Sequence, residues 1–256
     1  MSGSVVLETG PDGLRARELG AVADVDFWEA QWSAQDLDDR AAASGHLPRQ
    51  LRTTVLALVP PPARVLEAGC GPAHFTLALH ARGYRAVGLD WGAATLERVR
   101  ARHPDLELHV GDVRGTPFAD GSFDAVYSPG VCEHFPEGPD AVLADAFRVL
   151  RPGGVAFVST PYLNALRRRR WAARRAGQGD FHQYVFPAGT LTTALERVGF
   201  VDVTTHPYGV GGTLVEEWPG LRRLLDRRAV GVLDLVPGLR RLGATAIWIA
   251  RKPEGR

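Results

Sequence analysis

"RVLEAGCGPAHF", Arg64 to Phe75, decides how the rest of the chain is read. An apolar, strand-like run enters glycines at 69 and 71, and a helical pattern follows. Such a turn is a nucleotide-binding arrangement. Glycine lets the backbone approach a ligand closely, and the helix start favours an anionic group. Gly69-x-Gly71 matches the first half of the dinucleotide fingerprint G-x-G-x-x-G. The third glycine of that fingerprint falls at position 74, where this chain has His74. Glu67 stands just ahead of the glycines. Either the turn is a damaged dinucleotide site, or it is an intact site for another ligand.

Outward from this turn the chain alternates. Strand-like runs at 63–69, 85–90, 106–112, 123–129 and 153–161 are separated by helical stretches, among them "HFTLALHARG" and "DAVLADAFRVL". Alternation of this kind predicts a parallel, doubly wound α/β sheet whose ligand lies at the carboxyl ends of the strands. The runs at 200–209 and 244–252 lack a clear crossover helix between them and are expected to pair as an antiparallel edge. Residues 1–25 read as a loose, polar start, and Asp26 to about Val59 as helical. "PPP" at 60–62 breaks any helix. The expected organisation is therefore an N-terminal helical lid segment, 1–62, and a main domain, 63–256, with insertions at 162–186 and 210–243.

The residue types around the turn separate the two ligand readings. An amino-acid moiety carries an ammonium as well as a carboxylate, and Glu67 is a natural partner for the ammonium. It is a poor neighbour for a pyrophosphate. Asp90 ends the second strand, 19 residues after Gly71, where a carboxylate accepts from vicinal ribose hydroxyls. That feature alone fits a dinucleotide equally well. Asp112 ends the third strand and can accept from an adenine amino group. Val113 offers a backbone N–H to a ring nitrogen, and Trp91 can pack against the purine face. The ligand reads as an amino-acid-bearing nucleoside.

In order along the chain, "VLEAGCGPA", "VGLD", "VGDV", "FDAVYSPGVCEHF" and "VLRPGGVAFVSTP" resemble the class I S-adenosylmethionine-dependent methyltransferases. The likeness is to small-molecule enzymes related to the ubiquinone and menaquinone methyltransferases. It covers about 63–205 and the terminal strand. It implies a Rossmann-like seven-stranded sheet with an antiparallel last strand, and S-adenosyl-L-methionine as cofactor. It places Glu67, Gly69 and Gly71 at the methionine part, Asp90 at the ribose, and Asp112 and Val113 at the adenine. Ser128 falls on the methionine and sulfonium side. The family's third glycine is Ala73 here.

Methyl transfer to a hydroxyl, phenol or ammonium also needs somewhere for a proton to go. His134, in "CEHF", is the first candidate base, against a cofactor-contacting or structural role. His182, in "GDFHQYVF", is the second, against anchoring a lid; Tyr184 shares that choice. The aromatic cluster Phe27, Trp28 and Trp32 is either a lid over the cofactor or plain core. Arg167–Arg170, with Arg174 and Arg175, is a solvated helix face, an anion site or a peripheral membrane contact through 162–175. Residues 210–243 read as a helical cap or a subunit contact, the latter making a homodimer.

Composition excludes other classes. A formal net charge of +1 argues against nucleic acid as partner. Cys70 and Cys132 are too few for a disulfide framework or a structural zinc site, and no metal site is expected. No apolar run reaches the roughly 18 residues of a spanning helix, and no signal peptide is evident, so a cytoplasmic location is expected. The chain reads as an enzyme that methylates an O or N atom of a small molecule. A quinone or lipid methyltransferase at the membrane surface is the first alternative. A noncatalytic S-adenosylmethionine-binding protein is the second.

Overall fold

The computed structural model describes residues 4–34, 39–173, 178–218, 220–221, 233–234, 236 and 238–255. Its centre is the strand of the opening stretch, here β3 (Arg64–Ala68). Parallel neighbours flank it: β4 (Arg85–Asp90), β5 (Glu107–Val110), β6 (Phe123–Pro129) and β7 (Leu150–Pro161). β9 (Val201–Tyr208) and β10 (Thr245–Arg251) complete a seven-stranded sheet of order β5-β4-β3-β6-β7-β10-β9. The expected terminal pair does form. β10 lies inside, antiparallel to both β7 and β9, and β9 forms the edge.

Both faces of this sheet are covered, which is why its central strands read as nearly continuous apolar runs. One face packs under α3 (Arg49–Leu58), α4 (His74–His80) and α5 (Ala93–Arg102), on a core that includes Val65, Phe157 and Ile247. The other packs under α6 (Asp140–Val149) and α8 (Ala188–Val198), through Leu66, Val126, Val158 and Trp248. Each of these large side chains is almost fully buried and contributes about 1.5–3 kcal/mol of burial free energy. Strict alternation along β3 sends Glu67 to the α4 face, which fixes its partners below.

Two expectations are corrected. Residues 4–20, read as loose within a helical segment, form a hairpin of β1 (Ser4–Gly10) and β2 (Gly13–Gly20) around Pro11-Asp12. β2 also pairs with β8 (Asp180–Val185), making a separate three-stranded sheet. β2 carries Arg15, Arg17 and Glu18, and of its side chains only Ala16 is buried, so the stretch lacks a local strand signature. Its stabilising partner lies more than 160 residues away. Only the remainder of the N-terminal segment is helical: α1 (Val25–Ser33), α2 (Arg40–Ala43) and α3.

The arginine run is the second correction. It lies on α7 (Ala165–Ala172), but the run as a whole is not a solvated face. Arg167 is buried, donates to the Tyr162 and Ala244 carbonyls (3.0 and 2.8 Å), and pairs with Glu216. Arg170 Nε and Trp171 Nε1 donate to the two oxygens of Glu217, each at 2.8 Å. Both glutamates belong to α9 (Val210–Glu217), so half of the run clamps one insertion onto the other. Arg168 and Arg169 are exposed. Arg174 and Arg175 lie outside the described residues, as does most of the leucine-rich stretch expected to form a cap in 210–243. Among the described residues, no helix is long and apolar enough to cross a membrane.

Candidate active site

Backbone amides decide what the glycine turn can hold. Gly69 and Cys70 both donate to the Leu89 carbonyl, at 2.8 and 3.0 Å. Gly71 donates to Asp90 Oδ2 and Ala73 to the Cys70 carbonyl, each at 2.8 Å; Pro72 has no N–H. The turn thus uses its donors internally. A pyrophosphate needs free N–H groups in such a loop, and these are taken. What the turn offers is shape. Gly69 (φ +81°) and Gly71 (φ +46°) adopt left-handed backbone, and a Cβ at Gly69 would collide with Val131.

Two buried carboxylates bracket the turn. Glu67 Oε2 accepts from both the N–H and the hydroxyl of Thr76, at 2.8 and 2.6 Å, which ties β3 to α4. Oε1 accepts nothing among the described residues. Burial pushes the Glu67 carboxyl up to about 8. Asp90 accepts one amide on each oxygen, Gly71 N–H and Gly92 N–H, both at 2.8 Å. A carboxylate oxygen carries two lone pairs, so each retains one for a ligand hydroxyl. Burial raises the Asp90 carboxyl above its ordinary value, against the pull of those amides.

The space around the turn is divided in two. A first cavity of about 300 Å³ is walled by Gly69, Gly71, Asp90, Trp91, Gly111 and Val113, with Trp28, Val131, His134 and Phe135 opposite. A second, of about 390 Å³, lies on the Glu67 side, between Phe75 and Tyr127 and the segment around Leu47, Pro48 and Leu51. Trp32, Gly69, Gly71 and Pro129 border both. The Trp32 indole stands over Gly71, where a Cβ would come within 3.1 Å of it. Trp32, on α1, thus stands between the two cavities with the turn itself. Asp24 caps that helix, α1, by accepting from Phe27 N–H at 2.9 Å. Trp28 and Trp32, one turn apart, stack at 5.6 Å. Glu29 Oε1 accepts from Ala94 N–H at the start of α5 (2.8 Å), and Arg98 donates to the Trp32 carbonyl (3.1 Å).

His134 sits in a 3-10 turn after β6 and lines the first cavity. Its Nδ1 lies 3.1 Å from the His182 carbonyl. A carbonyl only accepts, so Nδ1 carries the proton and Nε2 keeps a free lone pair. Burial pulls the imidazole down to about 4, so it is neutral at physiological pH. Trp28 packs edge-on at 5.1 Å and the His182 ring at 5.5 Å. By the same logic the 2.8 Å contact of His182 Nδ1 with the Ala21 carbonyl is a donation. Glu133 is buried, with Oε2 unpartnered among the described residues, and burial raises its carboxyl to about 8. Cys70 and Cys132 are buried, and burial pushes both thiols well up, away from reactivity.

A family model described as "methyltransferase domain" matches residues 66–158. A malonyl-[acyl-carrier protein] O-methyltransferase of Methylococcus capsulatus is 32% identical over 232 residues, covering 85% of this chain and 82% of that protein. The chain belongs to the S-adenosylmethionine-dependent methyltransferases. A demethylmenaquinone methyltransferase of Beutenbergia cavernae is 33% identical over 189 residues, covering 70% of this chain and 71% of that protein. Against other curated relatives the match spans only 36% to 65% of their length. A solved methyltransferase from Archaeoglobus fulgidus superposes with a TM-score of 0.57 at 17% identity, over 89% of this chain and 99% of that one, a likeness of fold alone.

Within this methyltransferase, Gly69, Gly71, Asp90, Trp91, Val113 and His134 come together on the first cavity, and Glu67 joins the two glycines on the second. Asp112, Ser128, His182 and Tyr184, also singled out in the sequence, line neither. Asp112 is gripped by Arg114, whose Nη2 donates to Oδ2 at 2.7 Å, and these hydrogen bonds hold its carboxyl below the usual range. Ser128 is sealed inside, its hydroxyl without a partner among the described residues. His182 supports His134 through its carbonyl. Tyr184 is buried and donates to the Pro136 carbonyl at 2.8 Å. Sequence reasoning missed Glu29 and Tyr127. Glu29 sits in no motif, and Tyr127 lies within "FDAVYSPGVCEHF" without a signal of its own; only the fold brings Tyr127 to the second cavity and Glu29 to the start of α5.

Proposed function

We propose that this methyltransferase transfers the methyl group of S-adenosylmethionine to an oxygen or nitrogen atom of a small molecule. The observation that carries the reading is Asp90. It is buried at a strand end, locked by two amides, and open by one lone pair on each oxygen toward a cavity walled by Trp91 and Val113. That fits a ribose with a purine beside it. Glu67 and the donor-depleted turn fit a ligand with an ammonium and no pyrophosphate. When bound, the cofactor supplies an electrophilic methyl group on a sulfonium.

The chain's own residues then have three tasks. The two carboxylates and the turn fix the donor in one pose, and positioning of this kind supplies roughly 7–11 kcal/mol of barrier lowering. Trp28, Trp32, Val131 and Phe135 exclude water. His134 Nε2 accepts a hydrogen bond from the acceptor's O–H or N–H and takes its proton as the new bond to carbon forms. A base with so low a pKa is weak. It suffices because the attacking hydroxyl becomes strongly acidic as it gains the methyl group.

Neither cavity wall carries arginine or lysine among the described residues. This supports an acceptor that is neutral or cationic at its reacting end. The demethylmenaquinone relative favours a second reading, a quinone acceptor at the membrane surface. The internal pairing of Arg167 and Arg170 removes much of the basic face that reading relies on.

The test is calorimetric titration with S-adenosylhomocysteine, followed by a labelled-methyl screen over phenols, amines and a demethylated quinone. Wild type should bind, and Asp90→Asn should weaken binding by tenfold or more. Tight NADH binding without any response to the sulfur ligand would sink the cofactor assignment. Binding without labelled product across the panel would point to a noncatalytic binding protein.

A further inference from the structure

Gly111 and Val113 border the first cavity, and Asp112 between them does not. The Asp112 carboxylate is also fully engaged. Its Oδ1 accepts from the Arg114 N–H at 2.8 Å and from Nε at 3.1 Å. Its Oδ2 accepts from Nη2 at 2.7 Å and from the shared Nε at 3.1 Å. A carboxylate offers about four lone-pair sites, and these contacts fill them. A purine amino group would have to break one of these bonds to reach Asp112.

The same guanidinium reaches a second segment. Arg114 Nη1 donates to Glu137, 23 residues on, at 2.8 Å. The guanidinium carbon stands 4.7 Å from the centroid of the Phe135 ring. Phe135 borders the first cavity, 6.2 Å from the Trp91 ring that also borders it. Arg114 thus ties the loop after β5 to the segment after the 3-10 turn and fixes one aromatic wall. Asp112, Arg114 and Glu137 are partly exposed, where an isolated ion pair contributes little. A bidentate fork within a network is the exception.

The rest of that loop is pinned from α6. Arg148 donates to the Phe118 and Thr116 carbonyls at 2.7 and 3.0 Å, and Asp145 accepts from the Thr116 hydroxyl at 2.7 Å. The loop therefore keeps its course without Arg114. What Arg114 adds is the state of Asp112 and the place of Phe135. Aromatic walls hold any purine by its face, whatever its edge carries.

We propose that Arg114 is a positioning and specificity-determining residue, withdrawing Asp112 from the purine edge and holding Phe135 against the cavity, so that nucleoside thioethers differing at purine position 6 bind alike. This rests on the cofactor reading above and departs from the adenine-reading role that the family resemblance gives Asp112. The base is then selected by shape between Trp91 and Phe135.

Calorimetry on the full chain with two probes tests this. S-adenosylhomocysteine carries the 6-amino group. Its 6-deamino analogue keeps the ring nitrogens, the ribose and the amino-acid end. Wild type should bind the two within about threefold, whereas a carboxylate reading the amino group would favour S-adenosylhomocysteine by about tenfold or more. Arg114→Gln frees Asp112 and removes the support of Phe135. Both probes should weaken, and the preference for S-adenosylhomocysteine should rise by about threefold or more, which lost packing alone would not produce. Adding Asp112→Asn should abolish that rise. A tenfold preference in wild type, or an unaltered preference in Arg114→Gln, overturns the assignment. Binding of neither probe by wild type would overturn the cofactor reading instead.

Discussion

Ala73 adopts φ +57° immediately before α4, where a side chain costs about 1–2 kcal/mol. The chain tolerates this because Ala73 is fully buried against α2–α4 and its N–H closes the turn onto Cys70. Position 73, rather than His74, is thus where the turn needs its third unusual backbone. Glu67, Asp90 and the glycines were legible because spacing from the turn fixes them. The engagement of Asp112 was not, since Arg114 two residues on carries no signal of where its fork points. His134 was legible as a residue, but its tautomer depends on a carbonyl 48 positions away. That tautomer makes a prediction. His134→Gln should lower kcat by about 100-fold, a typical general-base effect, with S-adenosylhomocysteine affinity within twofold of wild type. In wild type, protonation of Nε2 removes the acceptor only as pH falls toward 4. The rate should therefore show no limb from this group between pH 6 and 8. A limb near 6.5 that vanishes in the variant would contradict the buried, neutral imidazole.

At the scale of elements, the parallel strands were readable from apolar runs and the helices from their alternation with them. The hairpin of β1 and β2 was not, because charged side chains mask its period and its partner strand is remote. Helix α1 was readable as helical, but the sequence left open whether Trp28 and Trp32 were core or lid. Their half-buried rings line the first cavity, and two side chains tie α1 to α5, Glu29 and Arg98. Glu29 holds it to the first turn of α5, in the manner of a helix cap, an interaction of about 1 kcal/mol. Glu29→Ala should accordingly speed S-adenosylhomocysteine release about fivefold, with association little changed. Stopped-flow tryptophan fluorescence reads this directly, since Trp28, Trp32 and Trp91 all border the site. An unchanged release rate would mean that the latch is not what holds the lid closed.

For the whole molecule, the cofactor half was legible because its ligand sets the motifs, and the acceptor half was not, because it is built from segments whose only common property is where they fold. Buried charge gives the molecule a further collective property. Glu67 and Glu133 titrate near 4.5 when unfolded and near 8 when folded, so the folded state holds more protons between those values. Their contribution to stability is complete below pH 4.5 and is lost as pH rises through 8. His134, lowered to about 4, works in the opposite sense, but only between 4 and 6.5. From pH 6.5 to 8.5, then, the ligand-free protein should lose thermal stability, and Glu133→Gln should flatten that decline. Melting temperatures that hold level or rise over this interval in wild type would refute it.

The small sheet also bears on how the chain is made. β1 and β2 leave the ribosome well ahead of β8, which covers the free edge of β2 and is synthesised some 160 residues later. At about 5–20 residues per second, that edge waits roughly 8–30 s for its partner. Arg15, Arg17 and Glu18 along β2 place charge on the waiting edge, a means of discouraging pairing with other nascent chains. The hairpin is thus completed only long after its own two strands are made, and a chain cut short before residue 180 would carry it with the outer edge of β2 unpaired.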